Sequence, residues 1–101
     1  MRILVFFDLP TETPEDRTNY RHFRTGLIKN GFIMLQESVY CRLLIAPSQE
    51  KAVVEAISKQ KPPKGLVQLL TVTEKQFSKM VYLVGETHSD ILSTEDRVVI
   101  F

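Results

Sequence analysis

The feature that most constrains the fold is an apolar run at residues 3–7, which Asp8, Leu9 and Pro10 follow directly. A short apolar run that is mainly β-branched or aromatic predicts a strand buried on both faces. Because proline has no backbone N–H to donate, strand pairing should end near Pro10. The run therefore places one carboxylate, that of Asp8, at the C-terminal end of a central strand. In open sheets covered by helices, ligands and metals tend to bind at this position.

Length and composition predict a single domain with a net charge close to zero. At 101 residues the chain is short enough to depend on a partner for part of its stability. The net charge of +1 gives no overall basic field, so nucleic-acid binding would depend on where the arginines lie. The single cysteine, Cys41, excludes an internal disulfide framework and fits a reducing compartment. With no membrane-length apolar run and no secretory leader, we expect a cytoplasmic protein without a membrane partner.

Residues 11–31 carry the signals of a long helix. Thr13 can cap it, Pro14 suits the first helical position, and the helix should run to about Asn30 and stop at Gly31. At about 100° per residue one side of this helix is apolar and should face the core. The residues of that stripe are Tyr20, Phe23 and Leu27.

The middle of the chain predicts three more strands and a second helix. Residues 32–45 form a β region that Gln36 and Glu37 interrupt, which indicates strands at about 32–35 and 38–45. A tight turn and a kink in one bent strand are both compatible with this pattern. Ser48 should cap a helix over about 49–60, and another strand should span 66–73.

The order strand, helix, strand, strand, helix, strand predicts an α+β fold of the ferredoxin-like βαββαβ type over residues 1–80. In that plan both helices cover one face of a four-stranded antiparallel sheet. Much of the sheet is apolar on both sides, so the bare face should be buried by a second copy of the chain.

Residues 81–101 extend beyond this plan within the same single domain. We expect a short strand over 80–84, a polar loop over 86–96 and a strand-like apolar terminus. Such a strand has little left to pair with in its own sheet, so it is a candidate for pairing across a homodimer. The expected dimer- or partner-binding residues are Val98, Val99, Ile100 and Phe101.

Two interpretations of Asp8 stay open. Its carboxylate can be a metal ligand, since Mg²⁺ usually takes one or two carboxylates together with phosphate oxygens. A two-fold dimer would bring two such side chains near one metal. In the alternative, Asp8 accepts backbone hydrogen bonds within its own turn. Catalysis would need a metal-activated water, and the sequence offers no evident general base.

Basic residues form one arc on the first helix. Arg17, Arg21 and Arg24 fall within about 60° of each other, and guanidinium groups suit phosphate contacts that do not read base sequence. The alternative is a solvated face whose arginines pair with Glu12 or Glu15. A second basic cluster, expected to serve solubility, is formed by Lys59, Lys61 and Lys64. We expect His22 to be a surface residue.

Four segments in the expected order resemble the Cas2 family of CRISPR-associated proteins, the small subunit of spacer acquisition. They are FFDLPTETPEDR, RTNYRHFRTGLIKNGF, MLQESVYCRLL and LLTVTEKQF. The similarity is strongest to the branch found in type II systems. It implies a ferredoxin-like homodimer with C-terminal strands exchanged between subunits. Such a dimer sits at the centre of a complex with the Cas1 integrase subunit and holds a prespacer DNA duplex.

The resemblance also implies a role for the carboxylate that ends the first strand. Some family members are described as ribonucleases or deoxyribonucleases that depend on Mg²⁺ or Mn²⁺ and use this aspartate, which is Asp8 here. We therefore expect a homodimeric adaptor that binds duplex DNA through its backbone and scaffolds the Cas1 integrase. The alternative is a metal-dependent endonuclease, acting on RNA or duplex DNA, with Asp8 contributed by both subunits.

Overall fold

The computed structural model describes residues 1–85. Their elements follow the predicted order, with one short helix added after the last strand. The elements are β1 (Arg2–Asp8), α1 (Pro14–Lys29), β2 (Ile33–Gln36), β3 (Val39–Leu43), α2 (Gln49–Ser58), β4 (Leu66–Val72) and α3 (Glu74–Ser78).

The sheet has the strand order β2-β3-β1-β4, and every neighbouring pair is antiparallel. This order places β1 in the interior and confirms the ferredoxin-like α+β fold. The interruption at Gln36 and Glu37 is a hairpin and not a bend in one strand, because β2 and β3 pair with each other. A bulge between Met34 and Gln36 shifts the register of that hairpin.

The start of α1 is fixed by a reciprocal pair of hydrogen bonds. Thr13 Oγ1 accepts from the backbone N–H of Asp16 at 3.0 Å, and Asp16 Oδ2 accepts from the backbone N–H of Thr13 at 3.2 Å. Burial acts to raise the pKa of Asp16, but the bonds to Thr13 and the ammonium of Lys64 outweigh it, so the pKa is lowered. The carboxylate thus stays charged at the positive end of the helix dipole.

The other predicted helix signals have mixed outcomes. Gly31 adopts a φ of +86°, as expected for a left-handed residue after the helix end. The Ser48 side chain does not cap α2. Gln49 Oε1 instead accepts from the backbone N–H of Ile45 at 2.7 Å, because its longer side chain reaches back to the preceding loop.

The core lies between α1, α2 and one face of the sheet. Ile3, Val5 and Phe7 of β1 point into it, and the Phe7 ring meets the Phe23 ring edge-on with 5.3 Å between centroids. The predicted apolar stripe of α1 is confirmed, with Tyr20 packed at the border of the core. The buried apolar residues of this cluster are Ile3, Val5, Phe7, Leu9, Phe23, Leu27, Phe32, Tyr40, Leu44, Val53 and Ile57.

The short helix α3 packs on the other sheet face, which we call the outer face. Phe77 is buried there with Leu4 and Cys41, and the Arg2 guanidinium lies 4.3 Å from the Phe77 ring centroid. The strand predicted over residues 80–84 is wrong for the described chain. A capping box between Thr73 and Gln76 starts a helix directly after β4, and the chain leaves the sheet there.

The rest of the outer face exposes large apolar side chains. Leu43, Leu66 and Leu70 are each 54% exposed, and the strand register places them on the same face as Leu4 and Asp8. The expectation that the sheet is apolar on both sides is therefore confirmed. Residues 86–101, including Val98, Val99, Ile100 and Phe101, lie outside the described residues, so their partner-binding role stays a prediction. Among the described residues, no helix has the length and hydrophobicity to cross a membrane.

Candidate nucleic-acid interface

Asp8 ends β1, opposite Leu66 of β4, and its side chain is exposed. Within residues 1–85 its carboxylate takes part in no hydrogen bond and no ion pair. The alternative hypothesis is that Asp8 accepts backbone hydrogen bonds in its own turn, but no such bond is present in the described chain. Its oxygens remain available to a ligand.

An open cleft of about 440 Å³ lies beside this carboxylate, and we call it the aspartate cleft. Three chain segments meet there because antiparallel pairing brings the start of β3 next to the end of β1. The backbone N–H of Phe7 donates to the Ser38 carbonyl at 3.1 Å, which fixes that junction. The cleft is lined by Asp8, Leu9, Thr11, Arg17, Tyr20, Arg21, Glu37 and Ser38.

Of the three predicted arginines, Arg17 and Arg21 line the aspartate cleft and Arg24 does not. Arg24 Nε donates to the Tyr40 hydroxyl at 3.0 Å, which directs the guanidinium towards β3. Arg17 donates to the carbonyls of Thr11 and Glu12 at 3.1 and 3.2 Å and so braces the loop before the helix.

None of these arginines forms an ion pair with a carboxylate in residues 1–85. The alternative of side-chain pairing with Glu12 or Glu15 is therefore not seen. A guanidinium carries five N–H donors, so Arg17 and Arg21 keep several for a bound phosphate.

The charges of the aspartate cleft suit a phosphate better than a metal held by one chain alone. Arg17 and Arg21 are positive, while Asp8 and Glu37 are negative. The described residues contain no group of three His, Cys, Asp or Glu side chains that would hold a metal ion. Mg²⁺ usually keeps several waters and takes one or two protein carboxylates with phosphate oxygens. Asp8 fits that limited role, and the remaining ligands would come from water, phosphate or a second copy.

Sequence reasoning missed Glu37 and Ser38 as members of this cleft. The sequence pattern indicated Glu37 only as part of the interruption between two strands. The available signal was the antiparallel hairpin itself, since a turn between β2 and β3 must lie beside the end of β1 in this topology.

Gly65 holds the backbone at the end of β1 in place. Its φ is +98°, and a Cβ there would lie 2.7 Å from both the Asp8 carbonyl oxygen and Leu9 Cδ2. We expect Gly65→Ala to lower the free energy of unfolding by about 3 kcal/mol, from a left-handed alanine and from overpacking. Urea unfolding measures this loss.

Gly85→Ala is the matched control for this prediction. Gly85 has a similar φ of +102°, but a Cβ there would meet no atom of residues 1–85 within 4 Å. We expect a smaller loss of about 1–2 kcal/mol, from backbone strain alone. If both variants lose the same free energy of unfolding, the close approach of Gly65 to Asp8 and Leu9 does not contribute to the destabilisation.

Fold and cleft together define a small ferredoxin-like α+β protein with arginines beside a carboxylate at the end of its central strand. Residues 1–80 match the family model described as CRISPR associated protein Cas2. A CRISPR-associated endoribonuclease Cas2 from Treponema denticola is 52% identical over 100 residues, which cover 99% of each chain. One from Streptococcus mutans is 46% identical over 99 residues, which cover 98% of this chain and 91% of that one. The chain belongs to the Cas2 family, as the resemblance in its sequence predicted.

A solved structure supports the fold independently. The crystal structure of Streptococcus pyogenes Cas2 at pH 6.5 matches with a TM-score of 0.64 at 20% identity. The match covers 83% of this chain and 100% of that chain. At this identity the likeness concerns the fold alone.

Proposed function

We propose that this chain is a cytoplasmic CRISPR adaptation subunit. It acts as a homodimeric adaptor that binds duplex DNA through the sugar-phosphate backbone and scaffolds the Cas1 integrase for spacer acquisition. The observation that carries the proposal is the pair Arg17 and Arg21, exposed in one cleft without a carboxylate partner in the described chain. Such guanidinium contacts fix the position of a duplex without reading its sequence.

A homodimer makes this arrangement more effective, because two-fold symmetry repeats every basic spot along a duplex. The exposed leucines of the outer face support such a dimer, since large apolar patches usually mark an interface. Arg24 is exposed next to the same helix face and adds a weaker contact, because Tyr40 already binds one of its donors. The dimer supports the middle of the duplex while the integrase subunits act at its ends.

The test is an Arg17→Ala, Arg21→Ala double variant, with binding of a mixed-sequence duplex measured by fluorescence anisotropy. We expect weaker binding and a flatter salt dependence, because each phosphate interaction that the variant removes takes about 0.9 from the slope of log K against log salt. The salt series should run from about 50 to 200 mM, with and without the Cas1 subunit.

Lys51→Ala, Lys75→Ala is the matched control for the arginine variant. Both lysines are exposed, neither lines the aspartate cleft, and the change in net charge is the same. Duplex binding that is insensitive to salt, or an equal loss in the control, would contradict the proposed DNA-binding role of Arg17 and Arg21.

A second candidate function is a Mg²⁺- or Mn²⁺-dependent endonuclease acting on RNA or duplex DNA. It is favoured by the exposed carboxylate of Asp8, which has no partner in the described residues, and by relatives named endoribonuclease. Asp8 from both subunits would hold the metal, while Arg17 and Arg21 would hold the phosphodiester. The bound metal would supply an activated water.

A further inference from the structure

Helix α1 has a second polar side, which faces a cleft other than the aspartate cleft. At 100° per residue, His22, Gly26 and Lys29 lie about 120° to 180° around the helix from Arg17 and about 80° to 140° from Arg21. A cleft of about 470 Å³ opens between this side and the turn that follows α2. We call it the lysine cleft.

The lysine cleft carries positive charge that no lining residue within residues 1–85 neutralises. Lys29, Lys61 and His22 line it, and none of its lining residues is an aspartate or glutamate. Neither lysine forms an ion pair within residues 1–85. Although the whole chain has a net charge of only +1, this cleft brings two lysine ammonium groups together in one concave site.

A second observation concerns the side-chain amide of Gln60, which lacks a hydrogen-bond acceptor in the described chain. Its amide nitrogen is buried and has no hydrogen-bond partner in the described chain, although the side chain lines the cleft. The amide lies against Gly26, at a point where any side chain on the helix would collide with it. An acceptor atom in the cleft would be favoured once the Gln60 side chain turns its amide from Gly26 towards the cleft, because a buried donor without a partner is costly.

We propose that the lysine cleft binds a phosphate group of a nucleic-acid strand. Lys29 and Lys61 supply the charge, and His22 and Gln60 supply further donors. The rings of Pro62 and Pro63 give an apolar wall for the adjoining sugar or base. The proposal rests on the proposed function only for the source of the phosphate, and it assigns a contact separate from that of Arg17 and Arg21.

The position of the lysine cleft keeps it accessible in a dimer. It lies on the helical side of the sheet, whereas the exposed leucines proposed to meet a second copy lie on the outer face. A nucleic-acid strand bound there would therefore contact the dimer at points additional to the aspartate cleft.

The test is an NMR titration of the full chain with a short single-stranded oligothymidylate and, separately, with inorganic phosphate. We expect the oligonucleotide to shift the Gln60 side-chain amide and the Gly26 and His22 resonances. Lys29→Ala, Lys61→Ala should weaken this binding about tenfold and flatten the salt slope of duplex binding by about 0.9 for each phosphate interaction that the variant removes. The Lys51→Ala, Lys75→Ala variant is again the matched control.

The outcomes separate this proposal from the proposed function. If the wild type binds no duplex but the oligonucleotide shifts the Gln60 amide, the adaptor function fails and the lysine cleft stands. If the arginine variant weakens duplex binding and the lysine variant changes nothing, the lysine cleft is overturned alone. Tighter binding of a polyglutamate peptide would overturn it in favour of a protein partner. Equal affinity for inorganic phosphate would overturn it in favour of a small-anion site.

Discussion

Asp8→Ala is expected to abolish any metal-dependent cleavage of RNA or duplex DNA, while the dimer and its affinity for duplex DNA are retained. Cleavage should fall by about 100-fold or more, because the variant removes the carboxylate proposed to bind the metal directly. Stability should hardly change, since within residues 1–85 the exposed Asp8 carboxylate bonds to no other group. Duplex affinity should stay equal or rise slightly, because the variant removes a negative charge beside Arg17 and Arg21.

The measurement compares wild type, Asp8→Ala and Glu12→Ala, purified side by side, with Mg²⁺ or Mn²⁺ and with EDTA. Glu12 is the matched control because it is an exposed carboxylate nearby that does not line the aspartate cleft. If cleavage is lost only with EDTA and in Asp8→Ala, this chain is a metal-dependent endonuclease that uses Asp8. Cleavage that is equal or absent in all three would leave an adaptor whose chemistry belongs to its partner. Loss of duplex binding in Asp8→Ala would contradict the assignment of that binding to the arginines.

The sequence predicted those parts of the fold that depend on local patterns. The apolar run of β1, the cap at Thr13 and the stop at Gly31 each have a physical cause within a few residues, and all three are present. The end of β1 also has a local cause, and the predicted position of Asp8 at that end is confirmed. Local signals also gave the element order, from which the ferredoxin-like topology followed.

Features that depend on distant contacts were not predicted. Helical periodicity predicted the direction in which Arg24 leaves helix α1. It could not predict its hydrogen-bond partner Tyr40, which lies on strand β3. The position of Glu37 in the same cleft as Asp8 depends on how β3 pairs with β1. Helix α3 begins at a local signal that was missed, the capping box of Thr73 and Gln76, but the burial of its side chain Phe77 depends on packing on the outer face. No short-range pattern of apolar residues specifies that contact.

Leu70→Glu is expected to dissociate the proposed dimer without unfolding the chain. Leu70 lies on the outer face opposite Leu4, and at 54% exposure its replacement by glutamate stays solvated in a monomer. In a dimer packed through the outer face the carboxylate would be buried without a partner, which is strongly unfavourable. We expect the dimer dissociation constant to rise about 100-fold or more, equivalent to about 2.7 kcal/mol.

Sedimentation velocity over a concentration series measures this effect, with urea unfolding to confirm that each variant is folded. Ile28→Glu is the matched control, since Ile28 is an apolar residue of α1 with a similar exposure of 51% on the helical side. A dimer that survives Leu70→Glu but dissociates in Ile28→Glu would place the interface on the helices instead. If Leu70→Glu yields folded monomers, their duplex affinity should fall as well, because a monomer presents only half of the arginine contacts that the adaptor role requires.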